Sequence, residues 1–296
     1  MPSHVTTMFS PNVLKDKVIL VTGGGTGIGR AMCERFASLG ARIAIIGRRA
    51  DILQKATGEL RDLGYDAFST RCDVRSPDEI ATAVDSIVGH YGRIDVLINN
   101  AAGNFVSPTE RLSPNAVDSV LNIVLHGTMY MTIDVGKRWI ASGQKGVVLN
   151  IVTTYSWTGS AFVVPSAAAK AGVLAVTRSL AVEWARYGIR HVAIAPGPFP
   201  TEATRKNLYP LEEMADILKE RVPLGRFGNM DEISNLAAFL VSDYASFING
   251  EVITIDGGEW LKGAGQFSDL LALKEEHWNM IKEMSRKKPV NSAGKN

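Results

Sequence analysis

The feature that most constrains this chain is a recurrence. Seven short apolar runs alternate with longer stretches of helical periodicity. The runs are VILVTGG (18–24), RIAIIG (42–47), AFSTRCDV (67–74), DVLINNA (95–101), GVVLNIVTT (146–154), RHVAIAPGP (190–198) and EVITIDGG (251–258). They are nearly continuous in Val, Ile, Leu and Ala, as strands covered on both faces should be. Between them, Ser76-Pro77-Asp78-Glu79 is a helix start, with Ser as N-cap, Pro at the first helical position and Glu two further on. Strand and helix alternating in this way predict one sheet of mainly parallel strands with helices on both faces. The chain has 296 residues, of which 46% are apolar and 21% charged, so a single domain of this size can bury a large core. No internal repeat and no flexible linker divides residues 1–296. The stretch 199–222 has no strand pattern and reads as a lid, and 264–296 reads as a helical, then polar, C-terminal extension.

The remaining composition narrows the function classes. A net charge of +2 gives no reason to expect nucleic acid, and RKK at 286–288 is a solvated end. No apolar run approaches the roughly 18 residues that span a bilayer. Cys33 and Cys72 are the only cysteines and lack metal-ligand spacing, which predicts a reducing compartment and no metal site. Residues 1–15 hold one lysine, no arginine and no carboxylate, a poor secretory or transit signal, and the terminal GKN is not a peroxisomal address.

The first run passes into Thr22-Gly23-Gly24-Gly25-Thr26-Gly27-Ile28-Gly29 and then a helix. Glycines there let a backbone approach a pyrophosphate, and a helix N-terminus favours its charge. The fold expected is therefore α/β and Rossmann-like, a doubly wound dinucleotide-binding sheet. An acid commonly ends the second strand when the cofactor is NAD, because it accepts from the ribose 2′-hydroxyl. Here the strand ends in Gly47-Arg48-Arg49. A guanidinium in place of an acid suits a 2′-phosphate, which favours NADP(H); the plainer reading is that both arginines begin a solvated helix. Asp73 could accept from an adenine amine or cap the turn that follows it. The small residues of Asn99-Asn100-Ala101-Ala102-Gly103 would let a ribose pack against the backbone.

With TGGGTGIG, CDV, NNAAG, a lysine-bearing helix after the fifth strand, PGP at 196–198 and a terminal IDGG, residues 16–260 resemble the short-chain dehydrogenase/reductase family. That family's usual site is a Tyr-x-x-x-Lys pair with a serine on strand five and an asparagine on the fourth helix. This chain departs from all but the lysine: Ser166 stands at the tyrosine position, Thr153 near the serine and His126 near the asparagine. A narrower resemblance accounts for the departure. NNAAGNF, SPTERLSPNA, TTYSWTGSAFVVPSAAAKAG, AAFLVSDYAS and INGEVITIDGGE look like the mitochondrial-type 2,4-dienoyl-CoA reductases of fatty-acid oxidation. In those the working tyrosine lies on the loop after strand five, which implies Tyr155, with Asn104, Lys170 and Ser166 as its partners.

The resemblance further implies cofactor contacts from Gly23, Gly24, Gly25, Thr26, Gly27, Ile28, Arg48, Asp73, Lys170, Pro196, Gly197, Pro198 and Phe199. Arg48 and Arg75 would meet phosphates of an acyl-CoA substrate, Lys206 of the lid could add to them, Phe105 would wall the acyl chain, and Ser113, by sequence a helix N-cap, could still touch substrate. It also implies a homotetramer in the mitochondrion, with the cytoplasm as the alternative location. Two other readings stay open: another reductase of the family, acting on an enoyl thioester or a carbonyl, and a non-catalytic nucleotide-binding member.

Overall fold

The computed structural model describes residues 9–202, 204 and 213–286. Seven strands form one sheet in the order β3-β2-β1-β4-β5-β6-β7, and every pairing is parallel. The strands are β1 (Val18–Thr22), β2 (Arg42–Gly47), β3 (Ala67–Arg71), β4 (Val96–Asn99), β5 (Gly146–Ile151), β6 (Ile189–Pro196) and β7 (Val252–Ile255). The seven predicted strands are all present, and several stop earlier than their apolar runs. The run 67–74 ends as a strand at Arg71, because the Asp73 carboxylate turns the chain by accepting from the Arg75 backbone N–H at 3.1 Å.

Helices α1 (Gly27–Ser38), α2 (Ala50–Asp62) and α9 (Met230–Val241) cover one face. Phe36, Met32, Ile233 and Leu240 are buried there against Ile19, Ile43 and Ile194. Helices α3 (Pro77–Tyr91) and α5 (Gly127–Ser142) cover the other, where Ile80, Ile87, Met131 and Trp139 pack on Leu20, Leu97 and Val148. A smaller third cluster lies where α4 (Pro114–Leu121) meets α7 (Val164–Glu183). As the sequence predicts, Ser76 caps α3 by accepting from Glu79 N–H at 3.3 Å, and Gly92 ends it in the left-handed region at φ 81°. Buried amides hold the sheet to its helices: Asn99 donates to Thr132 and Asn150, and Asn150 donates to Thr177, each at 2.9 Å.

Three features were not anticipated. A π-helical turn, Asn122–His126, joins α4 to α5. The lysine-bearing helix α7 begins at Val164, six residues before Lys170, and spans 20 residues. The described residues of the lid include a helix, α8 (Glu213–Arg221); Lys206 lies outside the described residues. Beyond β7 comes α10 (Glu259–Ala264), and α11 (Glu275–Arg286) is a helix within the expected 264–296 extension. Among the described residues no helix is long and apolar enough to cross a membrane.

Candidate active site

A cavity of about 860 Å³ opens at the carboxyl ends of β1, β4, β5 and β6. The strand order reverses between β1 and β4, and ligands of open α/β sheets bind at that reversal. The turn after β1 forms one end of the cavity. Thr22 stitches it to β4: its Oγ1 accepts from the N–H groups of Asn100 and Ala101 at 3.0 and 2.9 Å. The Asn100 side chain donates to the Thr22 and Gly23 carbonyls. Two glycines here show why no side chain fits. Gly23 sits at φ 67°, and a Cβ on Gly29 would lie 2.5 Å from Asn100 Nδ2 and 2.7 Å from the Gly23 carbonyl.

Gly23, Gly25, Thr26, Gly27, Ile28, Arg48, Asp73, Pro196, Gly197, Pro198 and Phe199 all line the cavity, whereas Gly24 is turned into the core, where a Cβ would meet Cys33 Sγ at 2.9 Å. Arg49, exposed, is the N-cap residue of α2. Asp73 is held well below the usual carboxylate range, mainly by its hydrogen bonds from Arg75 and in smaller part by the charge of Arg48. It is therefore an ionised acceptor facing the cavity.

The other end of the cavity carries the predicted catalytic set. Tyr155 is the first residue of a one-turn helix, α6 (Tyr155–Thr158), directly after β5. Its hydroxyl lies 3.0 Å from Ser166 Oγ and accepts from Asn104 Nδ2 at 3.4 Å. Ser166 and Lys170, four apart on α7, share one buried face, and all four residues line the cavity. Lys170 Nζ donates to the Ile151 carbonyl at the end of β5. Burial pushes its pKa down from the usual 10.5 to about 8. Thr153, near the usual serine position, also lines the wall. The tyrosine missing at position 166 thus has a geometric counterpart: the phenol comes from α6, and Ser166 is its hydrogen-bond partner.

Three predicted residues fall elsewhere. Arg75 does not line the cavity; it folds back two residues and spends its guanidinium on Asp73, with Nε 2.9 and 3.0 Å from the two carboxylate oxygens. Phe105 packs against the Val120–Val124 cluster, and its neighbour Val106 faces the cavity instead. Ser113 is the exposed N-cap of α4, accepting from Ala116 N–H at 3.2 Å. His126 is exposed, bonded to Asn122 Oδ1 at 2.8 Å and stacked on Tyr130, away from the cavity.

The structure also adds residues that sequence reasoning missed. Arg221 of α8 and Glu259 of α10 form an ion pair of 3.7 Å on the cavity wall, and burial raises the Glu259 pKa while Arg221 opposes the shift. Trp260 lines the same wall and packs on Trp157 of α6 with ring centroids 5.5 Å apart. Only the acidic start of α10 after IDGG signalled any of this, since the partners are remote in sequence.

A dinucleotide-type cradle facing a Tyr–Ser–Lys–Asn cluster across one cavity defines a class of nucleotide-dependent oxidoreductase. The chain belongs to the short-chain dehydrogenase/reductase family: the family model described as enoyl-(acyl carrier protein) reductase matches residues 23–259. Among curated relatives, a probable 2,4-dienoyl-CoA reductase, (2E)-enoyl-CoA-producing, of Bacillus subtilis (strain 168) is 45% identical over 84% of this chain and 98% of its own. Probable 2,4-dienoyl-CoA reductase 3, (3E)-enoyl-CoA-producing, of Caenorhabditis elegans is 46% identical over 83% of this chain and 81% of its own. A peroxisomal 2,4-dienoyl-CoA reductase of Arabidopsis thaliana is 37% identical over 86% of this chain and 87% of its own. The solved structure of a gluconate 5-dehydrogenase from Burkholderia cenocepacia J2315, in complex with NADP and tartrate, matches with a TM-score of 0.78 at 32% identity, covering 83% of this chain and 95% of that one.

Proposed function

We propose that this protein is an NADPH-dependent 2,4-dienoyl-CoA reductase that yields a trans-3-enoyl-CoA in the oxidation of unsaturated fatty acids. The observation that carries the reading is the Tyr155–Ser166–Asn104 hydrogen-bonded cluster, with the phenol displaced from the usual position on the lysine-bearing helix. The names of the relatives at 37–46% identity support it.

The residues present fit the dinucleotide. The glycine turn leaves no room for a Cβ at Gly29, an exposed guanidinium at Arg48 stands where an acid would accept from a 2′-hydroxyl, and Asp73 is an ionised acceptor. NADPH, when bound, supplies the hydride. Lys170, anchored on the Ile151 carbonyl, has further N–H donors for ribose hydroxyls.

A conjugated thioester separates the carbon that is reduced from the oxygen that gathers charge. Reduction at C5 moves an electron pair along the chain to the thioester oxygen. The site then needs donors aimed at a remote oxyanion. Tyr155 and Asn104 supply them from the loops after β5 and β4, and Ser166 fixes the phenol. Charge held at that oxygen directs the incoming proton to C2, which leaves the double bond between C3 and C4. Protonation at C4 would give a 2-enoyl product, the position printed for the Bacillus relative.

The test follows NADPH oxidation with 2,4-hexadienoyl-CoA, with a 2-enoyl-CoA and NADH as controls, and NMR of the product. Rapid turnover of the dienoyl thioester to a 3-enoyl product is expected. Turnover of the 2-enoyl control alone would replace the reading by another reductase of the family, and no turnover of either would leave a nucleotide-binding member. The proposal includes a homotetramer and a mitochondrial location; light scattering and imaging of a full-length fusion check these.

A further inference from the structure

The geometry points to Phe162 and Val106 as the residues that hold the acyl chain of the substrate and set its length preference. Both line the main cavity, and both are large apolar side chains left open: Phe162 is 56% exposed and Val106 47%. Other exposed aromatics, Tyr244, Phe247 and Phe267, lie outside the cavity, whereas Phe162 stands open inside a concave site, where an apolar ligand can cover it.

The backbone gives a second, independent sign. Phe162 sits at φ 65°, in the left-handed region that a bulky side chain avoids. Such a conformation persists only where the surroundings enforce it, and it aims a side chain where an ordinary turn would not. The enforcement is visible. The Phe162 carbonyl accepts from Ser107 N–H at 2.9 Å, and the next residue, Val163, is buried at the start of α7. That bond ties the loop after β5, which carries Tyr155, to the loop after β4, which carries Asn104. Val106 precedes Ser107, so the two open apolar side chains flank the tie.

The position selects the occupant. The cofactor cradle, with Gly25, Arg48 and Asp73, is polar and lies at the other end of the cavity. Val106 and Phe162 belong to the same two loops as the hydroxyl and amide proposed to hold the thioester oxygen. An apolar chain attached to that thioester would pass between them. This inference rests on the dienoyl-CoA reading, and it places chain-length selection on the two site loops, not on the 199–222 lid.

The experiment compares kcat/KM for 2,4-hexadienoyl-CoA and 2,4-decadienoyl-CoA in the wild-type enzyme, Phe162→Gly and Val106→Ala. Glycine adopts φ 65° without strain, so Phe162→Gly removes the ring and keeps the loop. Its melting temperature and NADPH Kd should match the wild type. The decadienoyl kcat/KM should fall about tenfold or more through KM, with the hexadienoyl value changed less than about threefold. Val106→Ala should move the ratio the same way by a smaller factor. Equal losses on both substrates, or an unmoved ratio in both variants, overturns the inference while the dienoyl-CoA reading stands. A wild-type enzyme that turns over neither dienoyl thioester overturns that reading, and the inference falls with it.

Discussion

Tyr155→Phe against Ser166→Ala tests the relocated phenol directly. The first change keeps the ring and deletes one hydroxyl, which lies 3.0 Å from Ser166 Oγ and 3.4 Å from Asn104 Nδ2. If that hydroxyl donates to a developing oxyanion, its loss should lower kcat by about 10²–10³, or about 2.7–4 kcal/mol of barrier. NADPH affinity should hardly change, because the cradle is at the far end of the cavity. Ser166 is 2% exposed, so the same change strands a buried hydroxyl. That costs about 1–3 kcal/mol of stability, and the melting temperature should fall by several degrees. Ser166→Ala removes only a neutral hydrogen bond to the phenol, worth about 0.5–1.5 kcal/mol, so kcat should fall by about tenfold or less. Single-turnover rates at saturating NADPH, with calorimetric melting of both variants, give the comparison. A crippled Ser166→Ala beside a healthy Tyr155→Phe would refute the mechanism, since a serine hydroxyl would then be the group that touches the substrate.

Arg48→Asp should weaken NADPH binding by about 1.5–3 kcal/mol and improve NADH relative to it, measured as the ratio of the two Kd values. Burial lowers Lys170 from 10.5 to about 8, so between those values the unfolded chain binds more protons than the folded one. Apo-protein stability should therefore rise with pH from about 8 toward 10.5, while kcat/KM falls as the cation is lost; pH-dependent melts and rate profiles read the two opposed trends. His191, fully buried against Trp184 and with neither ring nitrogen bonded among the described residues, is pushed down to about 4 by burial. Its folded pKa lies below the unfolded 6.5, so stability should drop as pH falls from about 6.5 to 4, and His191→Leu should flatten that slope in acid denaturation curves. Gly29→Ala should abolish the native turn after β1, because its Cβ would overlap Asn100 Nδ2; loss of NADPH binding and a lowered melting temperature check it.

What the sequence disclosed and what it withheld divide along physical lines. Strands buried on both faces must be apolar throughout, so β1, β2 and β5 announce themselves as runs. Their ends are set by single polar groups. Asp73 stops β3 by bonding the Arg75 backbone, and no periodicity records that choice. The same short reach misdirected the expectation for Arg75. Two residues of separation let its guanidinium meet Asp73, and a local ionic partner outcompetes a remote phosphate for the side chain in this conformation. On the loop after β4 no strand pleat fixes which side chain faces the cavity. Phe105, expected to wall the acyl chain, packs on the Val120–Val124 cluster, and Val106 faces the cavity.

The candidate catalytic cluster was legible because its members are fixed by regular elements. Ser166 and Lys170 share a helix face by spacing alone, and Tyr155 follows β5 by too few residues to go elsewhere. What could not be read was the linkage around them. Arg221 meets Glu259, and Trp260 meets Trp157, only after the crossover from α8 to β7 brings α10 beside the cavity. This linkage runs from the lid helix through α10 to the one-turn helix that carries Tyr155. Its members touch one another but make no bond to the phenol. Through Trp157 the linkage bears on the placement of α6, so Trp260→Ala should raise KM and lower kcat together without altering NADPH affinity. Steady-state kinetics beside NADPH titration measure this, and an unchanged kcat would show that the tryptophan pair is packing alone.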